Sequence, residues 1–369
     1  MTKRASNVLD LLRLAPRGGP AICNVSVTNV CNATCDFCNF AHDKGFVAHR
    51  KWLDADRFAA ALSLLRERAG VRFVTFMGGE PLLHPRIAEM AQTATDMGVQ
   101  PTLVTNGWLL PGKVDALAAA GITALFVSID SADAAVHEKN RGLKGVCERI
   151  RGANARLAER GVTPIASVAM SRLVTDYPAL AHFLKELGFA AVTFSYPRKA
   201  ALGSSSLVWS EDSDLVDLSP AELLAAFDAV DEVRGIIPVQ NPSASIADVR
   251  RRLRGEAERF HCLAGYKYFY LDWTYDLWRC EDWREPICPV WEFEPAKTVR
   301  DGCQACITDC YRDASVMLHF AVALGDAFAR LSEGRPAAAV AALADRRNAA
   351  SLGAVVAHGG RLGRLAGIG

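Results

Sequence analysis

Residues 21–40, AICNVSVTNVCNATCDFCNF, decide how the rest of the chain is read: a β-rich run of eight residues empties into a loop carrying Cys31, Cys35 and Cys38. The run is the first of six. AICNVSVT, VRFVTFMGG, QPTLVTNG, ALFVSID, TPIASVAMS and AVTFSYP succeed one another between Ala21 and Pro197, separated by amphipathic stretches near residues 54–68, 86–97, 113–120, 147–160 and 177–187. Strands alternating with helices are the pattern of a parallel sheet wound from right-handed crossovers, so an α/β fold is expected. Several strands end in polar or glycine residues, at 77–80, 105–107 and 128–130. Strand ends of that kind form the ligand-binding face of parallel α/β architectures.

The 369 residues are half apolar and 22% charged, with a formal net charge of +1. Disorder, collagen and coiled coil are excluded, and no electrostatic case arises for nucleic acid or an anionic membrane surface. There is no apolar core of a secretory signal near the N-terminus and no integral membrane segment, which would need a run of about 18 uncharged apolar residues. A cytoplasmic, reducing compartment is expected. There, clustered cysteines read as metal or redox ligands before they read as disulfides, and eleven cysteines cannot all pair.

The chain divides into an N-terminal segment (1–20), the strand–helix region (21–199), a linker with one docking helix (200–259), an aromatic and cysteine-rich region (260–313) and an alanine-rich helical tail (314–369). The docking helix opens at Ser219-Pro220, with Glu222 placed for a capping box. KYFYLDWTYDLWRC reads as a β-hairpin turning at 274–276.

Three thiolates at C-x3-C-x2-C on one loop can converge on a metal centre and leave one coordination position open. An iron–sulfur cluster or a zinc ion completed by His42 would both use such a loop. The loop resembles the signature of the radical S-adenosylmethionine (SAM) superfamily, including the aromatic Phe37 before the third cysteine. Gly78-Gly79-Glu80-Pro81 resembles the superfamily's GGEP motif, which contacts the methionine amino group. Thr105-Asn106-Gly107 and Ser128-Ile129-Asp130 match its further SAM-binding strand ends. Residues 137–142, HEKNRG, resemble the stretch whose arginine, here Arg141, holds the cofactor's carboxylate. Each motif alone also reads as turn or cap chemistry, with Asp130-Ser131 able to cap a helix. The resemblance implies a partial (β/α)6 TIM-like barrel, a [4Fe-4S] cluster on Cys31, Cys35 and Cys38, and SAM split to a 5′-deoxyadenosyl radical that abstracts hydrogen from a substrate.

Farther along, Cys262 and Cys280 bracket the hairpin and Cys303, Cys306 and Cys310 follow at C-x2-C-x3-C. This resembles the Twitch and SPASM extensions of radical SAM enzymes. Full SPASM domains carry C-x2-C-x5-C-x3-C and a distal cysteine and hold two clusters; here the central interval is three and no cysteine follows Cys310. The resemblance therefore implies one auxiliary cluster, expected as [4Fe-4S], on Cys262, Cys280, Cys303 and Cys306, with Cys310 able to replace one of them. A four-cysteine zinc ribbon is the competing reading. Cys23, Cys147 and Cys288 read as packed thiols or a spare ligand, and His84 as a helix-start residue.

Candidate substrate contacts are Tyr196 and Arg198 first, then Lys199, Tyr268, Tyr270, Trp273, Asp276 and Trp278, half of the hairpin aromatics being expected in the core. The leading expectation is an oxidoreductase or related enzyme of specialised metabolism. It would dehydrogenate, epimerise or rearrange a small molecule and draw electrons from a reductase with flavodoxin, or from ferredoxin. About 20 residues before the first strand are too few for the separate leader-binding domain of many peptide-modifying relatives. A peptide maturase remains an alternative, as does an enzyme of isoprenoid lipids, to which the C-x2-C-x3-C element and the apolar MLHFAVALGDAF are similar. So does a non-catalytic iron–sulfur or zinc scaffold.

Overall fold

The computed structural model describes residues 13–42, 48–197 and 213–365. One mixed sheet organises them, in the order β6-β5-β4-β3-β2-β1-β7-β8-β9. Its first six strands are β1 Ala21–Thr28, β2 Val71–Gly78, β3 Gln100–Thr105, β4 Ala124–Ile129, β5 Thr163–Ala169 and β6 Ala191–Ser195. All run parallel, forming a partial (β/α)6 TIM-like barrel. Between or beyond them lie α1 Asn39–His42, α2 Ala55–Leu64, α3 Ile87–Asp96, α4 Val114–Ala119, α5 Ala134–Arg141, α6 Val146–Glu159 and α7 Tyr177–Glu186.

Alternation along the strands sorts the two faces. Val25, Val74, Phe76, Leu103, Val127, Val168 and Phe194 are each at most 1% exposed and pack under the helices. Their neighbours on the opposite face are small and polar. Asn24, Thr75 and Thr102 align across three strands, as do Ser128, Ser167 and Thr193 across three others. The concave face is thus lined by hydroxyls and amides, which suits a polar ligand better than a dry core.

The expected hairpin forms from β7 Tyr268–Leu271 and β8 Asp276–Trp278, with β9 Cys288–Pro289 completing the edge. It does not stand apart from the barrel: β7 lies parallel to β1, Ile22 to Val25 facing Tyr268 to Leu271. Tyr268 Oη donates to Asn24 Oδ1 (2.8 Å) and Tyr270 Oη to Ser26 Oγ (3.0 Å), satisfying the polar face of a strand buried on both sides.

The sequence reading places no helix at 134–141. The structure forms α5 there, capped by Asp133 rather than by Asp130-Ser131, its side chain accepting from the amides of Ala135 and Val136. Periodicity misses an eight-residue, mostly polar helix because it has almost no apolar stripe. Residues 200–259, expected as a linker with one docking helix, hold two: α8 Pro220–Val233, which opens on the anticipated Ser219/Glu222 capping box, and α9 Ser243–Leu253. The chain ends in α10 Asp309–Ser332, α11 Pro336–Leu343 and α12 Arg346–Leu365.

Among the described residues, α10 is the one helix long and apolar enough to cross a bilayer. Here it packs on the barrel and on α12, burying Tyr311, Val316, Val322 and Ala327. Its Gly325 meets backbone directly: a Cβ there would sit 2.4 Å from the Gly18 nitrogen. In α12 a Cβ on Gly353 would meet nothing within 4 Å. Gly325→Ala should therefore lower stability by about 1–3 kcal/mol through overpacking, whereas Gly353→Ala should raise it by about 0.5–1 kcal/mol through helix propensity. Urea unfolding of both variants checks the pair.

Candidate active site

The loop with the first three cysteines leaves the end of β1 and is held by backbone on two sides. The amides of Gly79 and Glu80 donate to the carbonyls of Thr28 and Val30, each at 2.8 Å. A Cβ on Gly78 would lie 2.3 Å from the Thr28 carbonyl oxygen and one on Gly79 2.2 Å from that of Val30. Only glycine permits this approach, and Gly78 also has φ +119. Opposite, the Thr34 amide donates to the Arg141 carbonyl (2.9 Å), and a Cβ on Gly142 would strike the Thr34 hydroxyl. Asn140 Oδ1 accepts from the Asp36 amide (3.3 Å).

Cys31, Cys35 and Cys38 lie near enough on this held loop to act on one another electrostatically. Burial pushes the Cys31 thiol up to about 12 and raises Cys35 and Cys38 as well. Cys31 and Cys35 act electrostatically on each other and on Cys38, while Arg141 lowers all three. A cationic neighbour favours thiolate, the form that ligates metal. His42, the proposed fourth zinc ligand, has Nε2 2.9 Å from the Cys35 carbonyl oxygen, to which it donates. Among the described residues no three His, Cys, Asp or Glu side chains converge as ligands of one ion.

Arg141 is itself fixed by a buried fork. Its Nε and Nη2 donate to Asp130 Oδ2 (2.7 Å) and Oδ1 (2.5 Å), and Asn140 Nδ2 donates to the same carboxylate (2.8 Å). Burial would raise the Asp130 pKa, but the charge of Arg141 and the hydrogen bonds hold it well below the usual carboxylate range. Fully buried His137 accepts the Asp130 amide on Nδ1 (3.1 Å). Asp130 thus faces Arg141 and Asn140, and the guanidinium it orients faces the thiols. Glu80, 1% exposed, accepts from Thr105 Oγ1 (2.7 Å) and the amides of Asn106 (2.8 Å) and Leu82 (3.0 Å). Burial raises its pKa against those donors. Asn106 Nδ2 in turn donates to Asn32 Oδ1 in the cysteine loop (2.8 Å). Ser128 sits half-buried on the concave face.

The second group of cysteines also assembles. Cys262, Cys280, Cys303 and Cys306 are electrostatic neighbours, and the Cys262 amide donates to the Cys303 carbonyl (3.3 Å). Burial pushes Cys262 up to about 12 and Cys280 higher. Cys310 borders the group through Cys306, its thiol 3.8 Å from Glu281 Oε1. Cys23, Cys147 and Cys288 are core side chains. His84, 3% exposed, has Nε2 2.9 Å from the Leu53 carbonyl oxygen and accepts the Arg86 amide on Nδ1.

Several expected contacts lie elsewhere. Tyr196 is fully buried, edge-on to Phe227 of α8 with ring centroids 4.9 Å apart, because it follows Phe194 onto the helix-covered side of β6. It is a core residue, not a substrate contact. Phe37 likewise packs in the core, 4% exposed. Tyr268 and Tyr270 are committed to β1, and Trp278 Nε1 donates to Asp272 Oδ2 (2.8 Å). Asp276 accepts the Thr274 hydroxyl (3.1 Å). Trp273 lies edge-on to Phe40 beside the cysteine loop, centroids 6.4 Å apart. Arg198 and Lys199 fall outside the described residues.

The sequence reading overlooked buried carboxyls around the start of α10. Glu281, Asp309 and Asp313 are pushed up to about 8, 7 and 8, chiefly by burial, with Asp309 raising both of the others. Ser195 Oγ donates to Asp309 Oδ2 (3.5 Å) and Asn241 Nδ2 to Asp313 Oδ2 (2.8 Å), tying α10 to β6 and to the strand-like segment beside it. Acidic residues next to Cys280 and Cys310 were the available signal.

The fold and site define a class of protein: a partial barrel of parallel strands that gathers a cysteine loop and polar strand ends at one rim. Residues 25–193 match the model of the Radical SAM superfamily, so this stretch is a radical SAM domain. A SAM-binding [4Fe-4S] cluster and SAM itself are the cofactors that a radical SAM domain implies. The chain is 36% identical over 138 residues to the AdoMet-dependent heme synthase of Methanosarcina barkeri, covering 37% of this chain and 38% of that one. It is 32% identical over 174 residues to the GTP 3′,8-cyclase of Mycobacterium marinum, covering 45% and 47%. The chain thus spans less than half the length of these two relatives. Its fold is shared with Streptococcus suis SuiB bound to precursor peptide SuiA (TM-score 0.55, 14% identity, 86% of this chain and 76% of that one). It is shared equally with native anSMEcpe with bound AdoMet (0.53, 12%, 94% and 99%).

Two outcomes follow from this geometry. Asp130→Asn leaves a buried guanidinium without its counter-charge and should cost about 3–5 kcal/mol, and Asp130→Asn with Arg141→Gln should cost less than the two single changes summed; a chemical-denaturation double-mutant cycle measures both. Asp313 keeps its proton in the folded chain up to about pH 8 but releases it near 3.8 when unfolded. Its contribution is therefore full below the unfolded value and is lost as pH rises towards 8. Asp313→Asn should unfold less readily than the parent at pH 8.5, by about 1–3 kcal/mol, and gain little at pH 4; melts at the two pH values decide it.

Proposed function

We propose that this chain uses Cys31, Cys35 and Cys38 to hold a [4Fe-4S] cluster with one iron left for SAM, and that it removes a hydrogen atom from a polar small molecule. The observation that carries the reading is the pinned loop: three thiols fixed between glycine backbone on one side and the Arg141 strap on the other. When bound, the cluster and SAM together supply a 5′-deoxyadenosyl radical able to take hydrogen from an unactivated carbon. The chain's own residues bind and orient. Carbonyls around Gly78 and Gly79 accept from the methionine ammonium, with the Glu80 carboxylate behind them. Arg141, steered by Asp130, meets the methionine carboxylate. Thr105, Asn106 and Ser128 offer hydrogen bonds to the nucleoside. The hydroxyl-lined concave face positions the substrate and keeps competing hydrogen donors away.

Residues 260–313 form the auxiliary-cluster module in this reading, with Cys262, Cys280, Cys303 and Cys306 as ligands of a second cluster that accepts an electron from the substrate. A flavodoxin or ferredoxin supplies the first. The small-molecule assignment is supported by the relatives named a heme synthase and a GTP cyclase. Anaerobically reconstituted protein given dithionite and SAM should release 5′-deoxyadenosine. Cys35→Ala should abolish that release, while Cys262→Ala should keep it and lose the second cluster's iron. Undiminished release from Cys35→Ala would refute the assignment.

A further inference from the structure

Arg279 is 3% exposed and lies in the wall of the second cysteine group, adjacent to Cys280 in sequence. Nη1 and Nη2 donate to Asp301 Oδ2 (2.7 Å) and Oδ1 (2.8 Å), and the guanidinium carbon lies 4.2 Å from the centroid of the Trp283 ring. Asp301 Oδ1 also accepts the amide of Cys303 (3.1 Å), so one carboxylate fixes both the cation and a cysteine. Space for this side chain is made by Gly265, whose Cβ would fall 2.9 Å from that of Arg279. Clamped on one edge and one face, the guanidinium acts electrostatically on Cys303, Cys280 and Cys262.

One donor is left over. Arg279 Nε is buried and has no hydrogen-bond partner. A buried N–H without an acceptor is costly, and charged donors are the costliest to leave unpaired. The surroundings offer sulfur: in an occupied site the cysteine thiolates and the cluster's sulfides would supply acceptors.

We propose that Arg279 sets the reduction potential of the auxiliary cluster, giving Nε–H to a cluster sulfur while Asp301 holds the guanidinium in place and partly offsets its charge; this rests on the auxiliary-cluster reading above. Accepting one electron adds one negative charge to the cluster, with no bond broken and no proton moved. Positive charge and hydrogen bonds to sulfur stabilise that reduced state and raise the potential. The clamp thereby adjusts how readily the site takes the electron left on a substrate radical.

The pair makes opposite predictions for its two members, which a packing role does not. In full-length protein carrying Cys31→Ala, Cys35→Ala and Cys38→Ala, the remaining cluster can be titrated by EPR without interference. Arg279→Met should lower its midpoint potential, Asp301→Asn should raise it, and Arg279→Lys should fall between Arg279→Met and the parent. Iron and sulfide content is measured on each sample. Unchanged potentials, or shifts of the same sign for Arg279→Met and Asp301→Asn at parental iron content, overturn the inference and leave the auxiliary cluster standing. A parent without iron and sulfide overturns the cluster reading itself, and the inference with it. Should Arg279→Met fail to assemble, the sign from Asp301→Asn decides: a fall or no change overturns the proposal.

Discussion

Everything at the barrel rim depends on how closely two stretches of main chain approach. The end of β2 lies on the residues leaving β1 with no room for side chains between them, and two amide-to-carbonyl hydrogen bonds lock that contact. The loop at residues 29–38, with its three cysteines, would otherwise sample many shapes, at a backbone cost of about 1–2 kcal/mol per residue fixed. Anchoring it to the sheet on one side and to the end of α5 on the other transfers the stiffness of the barrel to the thiols.

Electrostatics then works on groups that cannot retreat. Arg141 lowers the pKa of three thiols that burial and mutual repulsion raise, and it is available to do so because Asp130 and Asn140 hold it there. The same arrangement recurs at the second cysteine group, where Arg279 is clamped by Asp301. In both places a carboxylate holds a guanidinium that acts electrostatically on the neighbouring thiols, an order that places positive charge where thiolates gather.

The alternation of strands and helices was legible because each element carries a strong period, and so was the first cysteine loop, because its spacing is short and local. The joining of β7 to β1 was not legible: the pairing residues are about 245 positions apart, and nothing in either run names its neighbour. Tyr196 was misplaced for a related reason. Its position after β6 is right for a rim residue, but the parity that turns it under α8 is set by the register of β6 on β5. α5 escaped for lack of an apolar stripe, and the carboxyls around α10 because burial of charge is a property of tertiary packing. Glu80 and Asp130 sat where expected in sequence, yet their partners at 105–106 and 140–141 became visible only once the strand ends were brought together.

The position of β1 inside the sheet carries a consequence for biogenesis. Its edge towards β7 has no partner until the ribosome has made residues 268–271, so a half-made chain exposes an apolar strand edge through most of its synthesis. Pairing so distant in sequence is slow to find. Closure of the sheet around β1 therefore waits on this one late pairing.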